Sequence, residues 1–202
     1  MNSSHSSTRI TRGLHAVALT AVVALGATAC SGSTGAANHD PSSSASADAR
    51  NASVSLKSGL KAHSAGQLGK AAADYNQTLK YDPKNKFAFY NLALIDSAHG
   101  NYGLAEEHYR SALKADGAYE PALFNLAILR TARNDAAEAM SLYQRAVAAN
   151  KKDAAAWLNL GLLQRSNGHV KAGNTAVLHA IALNPSLKDP RAPVTGSGPS
   201  AQ

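Results

Sequence analysis

The chain reads as an all-α array of four stacked helical hairpins, and three observations carry that expectation. A 34-residue repeat runs without insertion through copies starting at Ala52, Lys86, Glu120 and Ala154. Within each copy the apolar positions recur three or four apart, which is the period of a helix face and not the two-residue alternation of a half-buried strand. Small residues hold three equivalent places: Gly59, Ala93, Ala127 and Gly161 at the eighth position, Ala71, Ala105, Ala139 and Gly173 at the twentieth, and Thr78, Ala112, Ala146 and Ala180 at the twenty-seventh. Two helices approach closely where side chains are this small.

The segment before the repeats divides in two. Residues 1–29 carry Arg9 and Arg12 ahead of an apolar stretch from Leu14 to Ala29, the composition of an export signal and too short for a comfortable membrane span. Ala27, Thr28 and Ala29 then lead to Cys30, the single cysteine of the chain. That junction resembles a bacterial lipobox, with Ala27 where leucine is usual, and the resemblance implies a lipid on Cys30 and a chain held at the outer face of a bacterial cell membrane. The same three residues fit the A-x-A site of ordinary signal peptidase, which would release a soluble protein. Lipidation accounts for an exported chain with one unpaired thiol, and two acyl chains are what stable anchoring requires. Residues 30–51, rich in Ser, Ala, Gly and Asn around Pro41, show no apolar periodicity and are expected to form a disordered tether.

Residues 52–187 hold the repeats. Between the small positions the twenty-fourth is large, with Tyr75, Tyr109, Tyr143 and Val177, and the twenty-eighth is Leu79, Leu113, Val147 and Ile181. Gly66, Gly100, Asn134 and Gly168 fall at the turn inside each hairpin, where a positive φ is needed. Each second helix is expected to stop at Asp82-Pro83, Asp116-Gly117, Asn150-Lys151 or Asn184-Pro185. Proline is missing from the second and third of these, which weakens the turn signal. Residues 188–202 contain Pro190, Pro193 and Pro199 with Gly196 and Gly198, and are expected to be a disordered tail.

Function classes narrow on composition. The net charge of +7 falls to +5 without Arg9 and Arg12, and the remaining lysines are scattered, with no basic runs interleaved with aromatics, so nucleic acid is not expected as a partner. Eight histidines include no pair at metal-binding i, i+4 spacing; Asp96 and His99 lie three apart, as expected of a solvated pair near a helix end. No phosphate loop and no nucleophile elbow is found, so neither an enzyme nor a cofactor is expected. Trp157, the single tryptophan, falls on a core position of the repeat.

Tyr90-Asn91-Leu92-Ala93-Leu94, Phe124-Asn125-Leu126-Ala127-Ile128 and Leu158-Asn159-Leu160-Gly161-Leu162 nearly superimpose at 34-residue spacing. Together with Phe89, Leu123 and Trp157 at the fourth position and the small residues above, they resemble the tetratricopeptide repeat over about two thirds of the chain. The first copy departs, with Ser55 and Ser58 in place of large apolar residues, as suits a polar capping repeat. The resemblance implies a right-handed superhelix whose second, fifth, sixth and ninth positions line a concave groove. Carried over, these give an apolar stripe of Tyr90, Phe124 and Leu158, continued by Leu94, Ile128 and Leu162, with Leu56 and Leu60 in the first copy. Beside it stand Asn91, Asn125 and Asn159, similar to the asparagine ladder in the superhelical repeats of the O-linked glucosaminyltransferase. A ladder of carboxamides pairs with the backbone of an extended peptide; the alternative is that these asparagines bond within or between hairpins. The Lys and Arg that clamp a C-terminal carboxylate in some members are absent from the corresponding places, Leu56, Leu60, Pro121 and Asn125. The implied role is a membrane-anchored scaffold for an exported or envelope protein. A second reading is self-association, by a homodimer or a larger assembly, through an apolar edge left on the last helix by Val177, Leu178 and Ile181.

Overall fold

A computed structural model describes residues 41–190, and these residues form eight α-helices with no strand among them. They are α1 (Pro41–Ser64), α2 (Leu68–Tyr81), α3 (Lys86–Ala98), α4 (Tyr102–Ala115), α5 (Glu120–Ala132), α6 (Ala136–Ala149), α7 (Ala154–Ser166) and α8 (Val170–Leu183). After α1, first helices are 13 residues long and second helices 14, so the 34-residue period of the sequence is a period of the fold. Each helix packs on its neighbours in the chain, giving hairpins that stack on one another as a solenoid.

The turns inside the hairpins follow one design. Gly66, Gly100, Asn134 and Gly168 adopt φ of 73°, 76°, 60° and 85°. The next amide then reaches back to close the first helix: Gln67 N donates to Ala62 O, Asn101 N to Asp96 O, Asp135 N to Arg130 O and His169 N to Gln164 O, each at 2.9 Å. This is the Schellman pattern, and it uses carbonyls that the helix end leaves unpaired.

The turns between hairpins explain why proline is dispensable. In every copy the side chain at the thirty-first position accepts from the backbone N–H two residues on: Asp82 from Lys84 at 3.2 Å, Asp116 from Ala118 at 3.0 Å, Asn150 from Lys152 at 3.1 Å and Asn184 from Ser186 at 3.1 Å. An Asx turn thus reverses the chain whether Pro, Gly or Lys follows. Asn85 and Asp153 then cap α3 and α7, accepting from Ala88 N and from Ala155 N and Ala156 N.

The core alternates small and large. Ala93, Ala105, Ala112, Ala127, Ala139, Ala146 and Ala180 have no exposed surface, and between them Tyr75, Tyr109, Tyr143 and Val177 are buried. Each of the larger side chains stabilises the fold by roughly 1.5–3 kcal/mol. Between the second and third hairpins the contact is also ionic. Glu106 accepts from Arg130 and Arg133 of the next hairpin and from Arg110 Nε at 3.1 Å, while Arg110 reaches Glu138 at 2.6 Å. In the first hairpin the serine departure has a use: Ser58 Oγ donates to Asp74 at 2.7 Å, and Lys70 Nζ donates to both.

Two boundaries differ from the sequence expectation. The tether does not extend to residue 51, because α1 already begins at Pro41. Proline is well suited to the first turn of a helix, and the segment shows no apolar periodicity because Ala45 and Ala49 stay exposed and Ala52 is the first buried residue among the described side chains of α1. At the other end Asp189 is not part of a free tail; it pairs with Arg165. The signal-like segment, Cys30 and residues 191–202 lie outside the described residues. No described helix is long and apolar enough to cross a membrane.

Candidate protein-binding face

The fifth, sixth and ninth positions of α3, α5 and α7 fall on equivalent turns of successive first helices. Tyr90, Leu94 and Phe124 are half-buried against the core, Leu158 and Leu162 are half-buried, and Ile128 is 41 % exposed. The aromatic rings continue inward: Phe124 meets Tyr143 edge-on at 5.9 Å, and Tyr90 lies 6.0 Å from Tyr109. Such seating fixes the rings before any ligand arrives, which reduces the entropy lost on binding.

The asparagines are partly committed to the fold. Asn91 Nδ2 donates to Phe87 O and Asn125 Nδ2 to Pro121 O, both at 2.8 Å and both one turn back along the helix. Asn125 Nδ2 also reaches the Tyr90 hydroxyl of the preceding hairpin at 3.3 Å, and Asn159 shares a hydrogen bond with the hydroxyl of Tyr143. The donor arms of Asn91 and Asn125 therefore bond within and between hairpins. Asn125 thereby commits both of its amide N–H groups, whereas Asn91 commits one of its two.

Residues not singled out by the sequence complete this face at the N-terminal ends of the first helices. Tyr119 packs edge-on against Tyr90 at 5.4 Å and Phe87 at 5.7 Å, and Lys86 Nζ lies 5.1 Å and 5.2 Å from the Tyr119 and Phe87 rings while pairing with Asp116 at 2.6 Å. Burial, followed by the nearby Tyr90 hydroxyl and the charges of Glu120 and Asp116, pushes the Tyr119 hydroxyl up to about 12. Glu120 is raised from 4.5 to about 7, first by burial and then by its hydrogen bond to the carboxylate of Asp153. These residues sit at the thirty-fourth, first and second repeat positions, and their meeting depends on stacking of neighbouring hairpins. Only Phe87, at a second position, belonged to the set that the resemblance assigns to the groove.

The expected Asp96–His99 pair does not form. Asp96 Oδ2 instead lies 2.7 Å from His108 Nδ1, on the facing helix of the same hairpin, because α3 and α4 run side by side there. Among the described residues no group of three or more His, Cys, Asp or Glu is arranged to hold a metal ion.

Solved structures with the same architecture include the MamA protein, at 24% identity and a TM-score of 0.60 over 68% of this chain and 75% of that one. The pilF protein of Pseudomonas aeruginosa aligns at 20% identity and a TM-score of 0.61, covering 70% and 64% of the two chains. A tetratricopeptide repeat protein from Parabacteroides merdae aligns at 19% identity and a TM-score of 0.60, covering 68% and 55%. At these identities the likeness shows the fold alone. No curated protein matches the sequence. Two tetratricopeptide-repeat family models match residues 56–121 and 97–165, together more than half of the chain. With the eight-helix solenoid described above, they show that this chain belongs to the tetratricopeptide-repeat family, whose fold is a scaffold for protein–protein interaction.

Proposed function

We propose that the chain binds an extended segment of an exported or envelope protein along the first-helix face, while a lipid on Cys30 holds it at a bacterial cell membrane. The observation that carries the binding mode is the repetition of Tyr90, Phe124 and Leu158 on successive helices, each flanked by an asparagine whose carboxamide oxygen is a hydrogen-bond acceptor. Apolar contact supplies affinity and the regular acceptors fix the register of an extended chain. The proposed role is non-enzymatic.

The test uses the full chain as bait for cross-linked envelope proteins, followed by replacement of Asn91, Asn125 and Asn159 with Ala. Each lost hydrogen bond costs about 0.5–1.5 kcal/mol of binding, so affinity for the captured partner falls tenfold or more. Because Asn125 and Asn159 also bond tyrosines, melting is measured on the same protein. Affinity that falls only in proportion to lost folded protein overturns the binding role. For the anchor, Cys30→Ser releases the chain from membranes or leaves it unprocessed; a cleaved Cys30→Ser protein still retained there contradicts lipidation.

Self-association is the second reading, and Leu178 favours it. That side chain is 66 % exposed on α8, where Asn76, Arg110 and Gln144 occupy the same repeat position. Light scattering at micromolar concentration separates the two, since a monomer rules out assembly through this edge.

A further inference from the structure

The second, third and fourth hairpins each follow an inter-hairpin turn, and in two of them the gap between that turn and the hairpin's second helix is closed from within. In the third hairpin Arg145 Nη2 crosses the gap from α6 and donates to Gly117 O at 3.0 Å. In the fourth, His179 of α8 meets the Trp157 ring edge-on at 4.6 Å, and Trp157 Nε1 donates to Lys151 O at 3.0 Å. The second hairpin has Ser111 at the place of Arg145 and His179, and this short side chain turns back along its own helix to Glu107 O at 2.9 Å. The gap therefore stays open there, as a recess of about 470 Å³ lined by Pro83, Lys84, Phe89, Ser111, Lys114 and Ala115. Phe89 is half-buried and gives it an aromatic wall. Lys84 and Lys114 are exposed on it, and neither pairs with a carboxylate among the described residues. The acids nearest to them in the chain are committed elsewhere: Asp82 accepts from Lys84 N and Asn85 Nδ2, and Asp116 from Lys86 Nζ and Ala118 N. Two ammonium groups thus line one recess with no carboxylate of this chain to balance them.

We propose that this recess binds an acidic side chain of a partner protein, its carboxylate taken by Lys84 and Lys114 and its methylene stem laid against Phe89 and Pro83. Charge decides the head group. A lysine or arginine would be repelled, and an apolar residue would strip water from two ammonium groups without replacing it. The wall decides the stem: inorganic phosphate gains from the lysines alone, whereas glutamate or aspartate also covers carbon on an aromatic ring. The contact is separate from the first-helix face, because at 100° per residue Phe89 is turned about 100° from Tyr90 and about 140° from Leu94 on α3. It does not depend on the asparagines, and a partner gripping that face has a second, charge-selective point of attachment here.

The test is titration of the ¹⁵N-labelled full chain with three probes: N-acetyl-glutamate α-methylamide, its glutamine counterpart of the same shape without the charge, and inorganic phosphate. Binding is read on the backbone amides of Lys84, Phe89, Ser111 and Lys114. The glutamate probe should shift these signals saturably, with the glutamine probe and phosphate each about threefold weaker or more. Lys84→Gln and Lys114→Gln should each weaken the glutamate probe about two- to fivefold, and together remove its advantage over glutamine. Ser111→Gln, which extends a neutral side chain into the gap, should weaken all binding there. Absence of saturation, equal affinities for the glutamate and glutamine probes, phosphate bound as tightly as glutamate, or glutamate binding unchanged in the double lysine variant overturns the proposal. Both lysines are exposed, so the fold should survive their replacement, and helicity is followed for each variant. Should Ser111→Gln unfold, the double lysine variant decides the matter.

Discussion

The Arg165 guanidinium holds both carboxylate oxygens of Asp189, Nη1 to Oδ1 at 2.7 Å and Nη2 to Oδ2 at 2.9 Å. Asp189 stands where the first helix of a fifth hairpin would begin, and Arg165 lies in the last turn of α7. A bidentate ion pair thus ties the outgoing chain to the end of the array, and the acidic partner raises the already high pKa of the guanidinium further. Asp189→Asn should keep the shape and lose the charge. We expect a loss of about 1 kcal/mol and a lowering of melting temperature by a few degrees, since the pair sits at the rim of the fold. An unchanged melt would mean that this pair does not secure the end.

Glu120 makes stability pH-dependent. Its carboxyl is raised from 4.5 to about 7 in the fold, so between these values the folded chain keeps a proton that the unfolded chain releases. The contribution is full below pH 4.5 and is lost as pH rises through 7, a change of order 1–3 kcal/mol. Glu120→Gln supplies a permanently neutral partner for Asp153 and should melt higher than the parent at pH 8 while matching it near pH 4. Parallel melting profiles across that range would contradict the assignment.

The hub at Glu106 should be more sensitive than any single surface ion pair. This carboxylate gathers Arg110, Arg130 and Arg133, and its side chain is 17% exposed. Glu106→Gln leaves three guanidinium groups competing for Glu138 and Asp135. A loss of roughly 2 kcal/mol is expected, against less than 1 for Asp74→Asn in the exposed Lys70 pair. Equal losses from the two variants would show that the hub adds nothing beyond a surface contact.

Close packing of the last hairpin rests on two glycines. A Cβ on Gly161 would meet Gly173 O at 2.7 Å, and one on Gly173 would meet Gly161 O at 2.6 Å. Backbone cannot move aside as a side chain can, so Gly161→Ala should cost roughly 1–3 kcal/mol. Gly103→Ala is the control, with nothing within 4 Å of the added carbon, and should stabilise α4 by about 0.5 kcal/mol. Thermal melts that rank these two in the opposite order would refute the packing argument.

The sequence by itself determined the helix count of the repeats, the turn residues and the alternation of small and large core positions. These are local or strictly periodic properties: a positive φ calls for Gly66 or Asn134 wherever the chain goes afterwards, and a 34-residue period forces equivalent residues into equivalent environments. Only the tertiary structure decided which polar groups meet. Asp96 takes His108 and not His99, Glu120 meets the carboxylate of Asp153, Asn125 spends its amide on Pro121 and Tyr90, and Asp189 returns to Arg165. Apart from the Pro121 contact within its own helix, those partners are 12 to 35 residues apart or lie on different hairpins. A hydrogen bond depends on separations of a few tenths of an ångström, and helix stacking sets those separations where the repeat period does not.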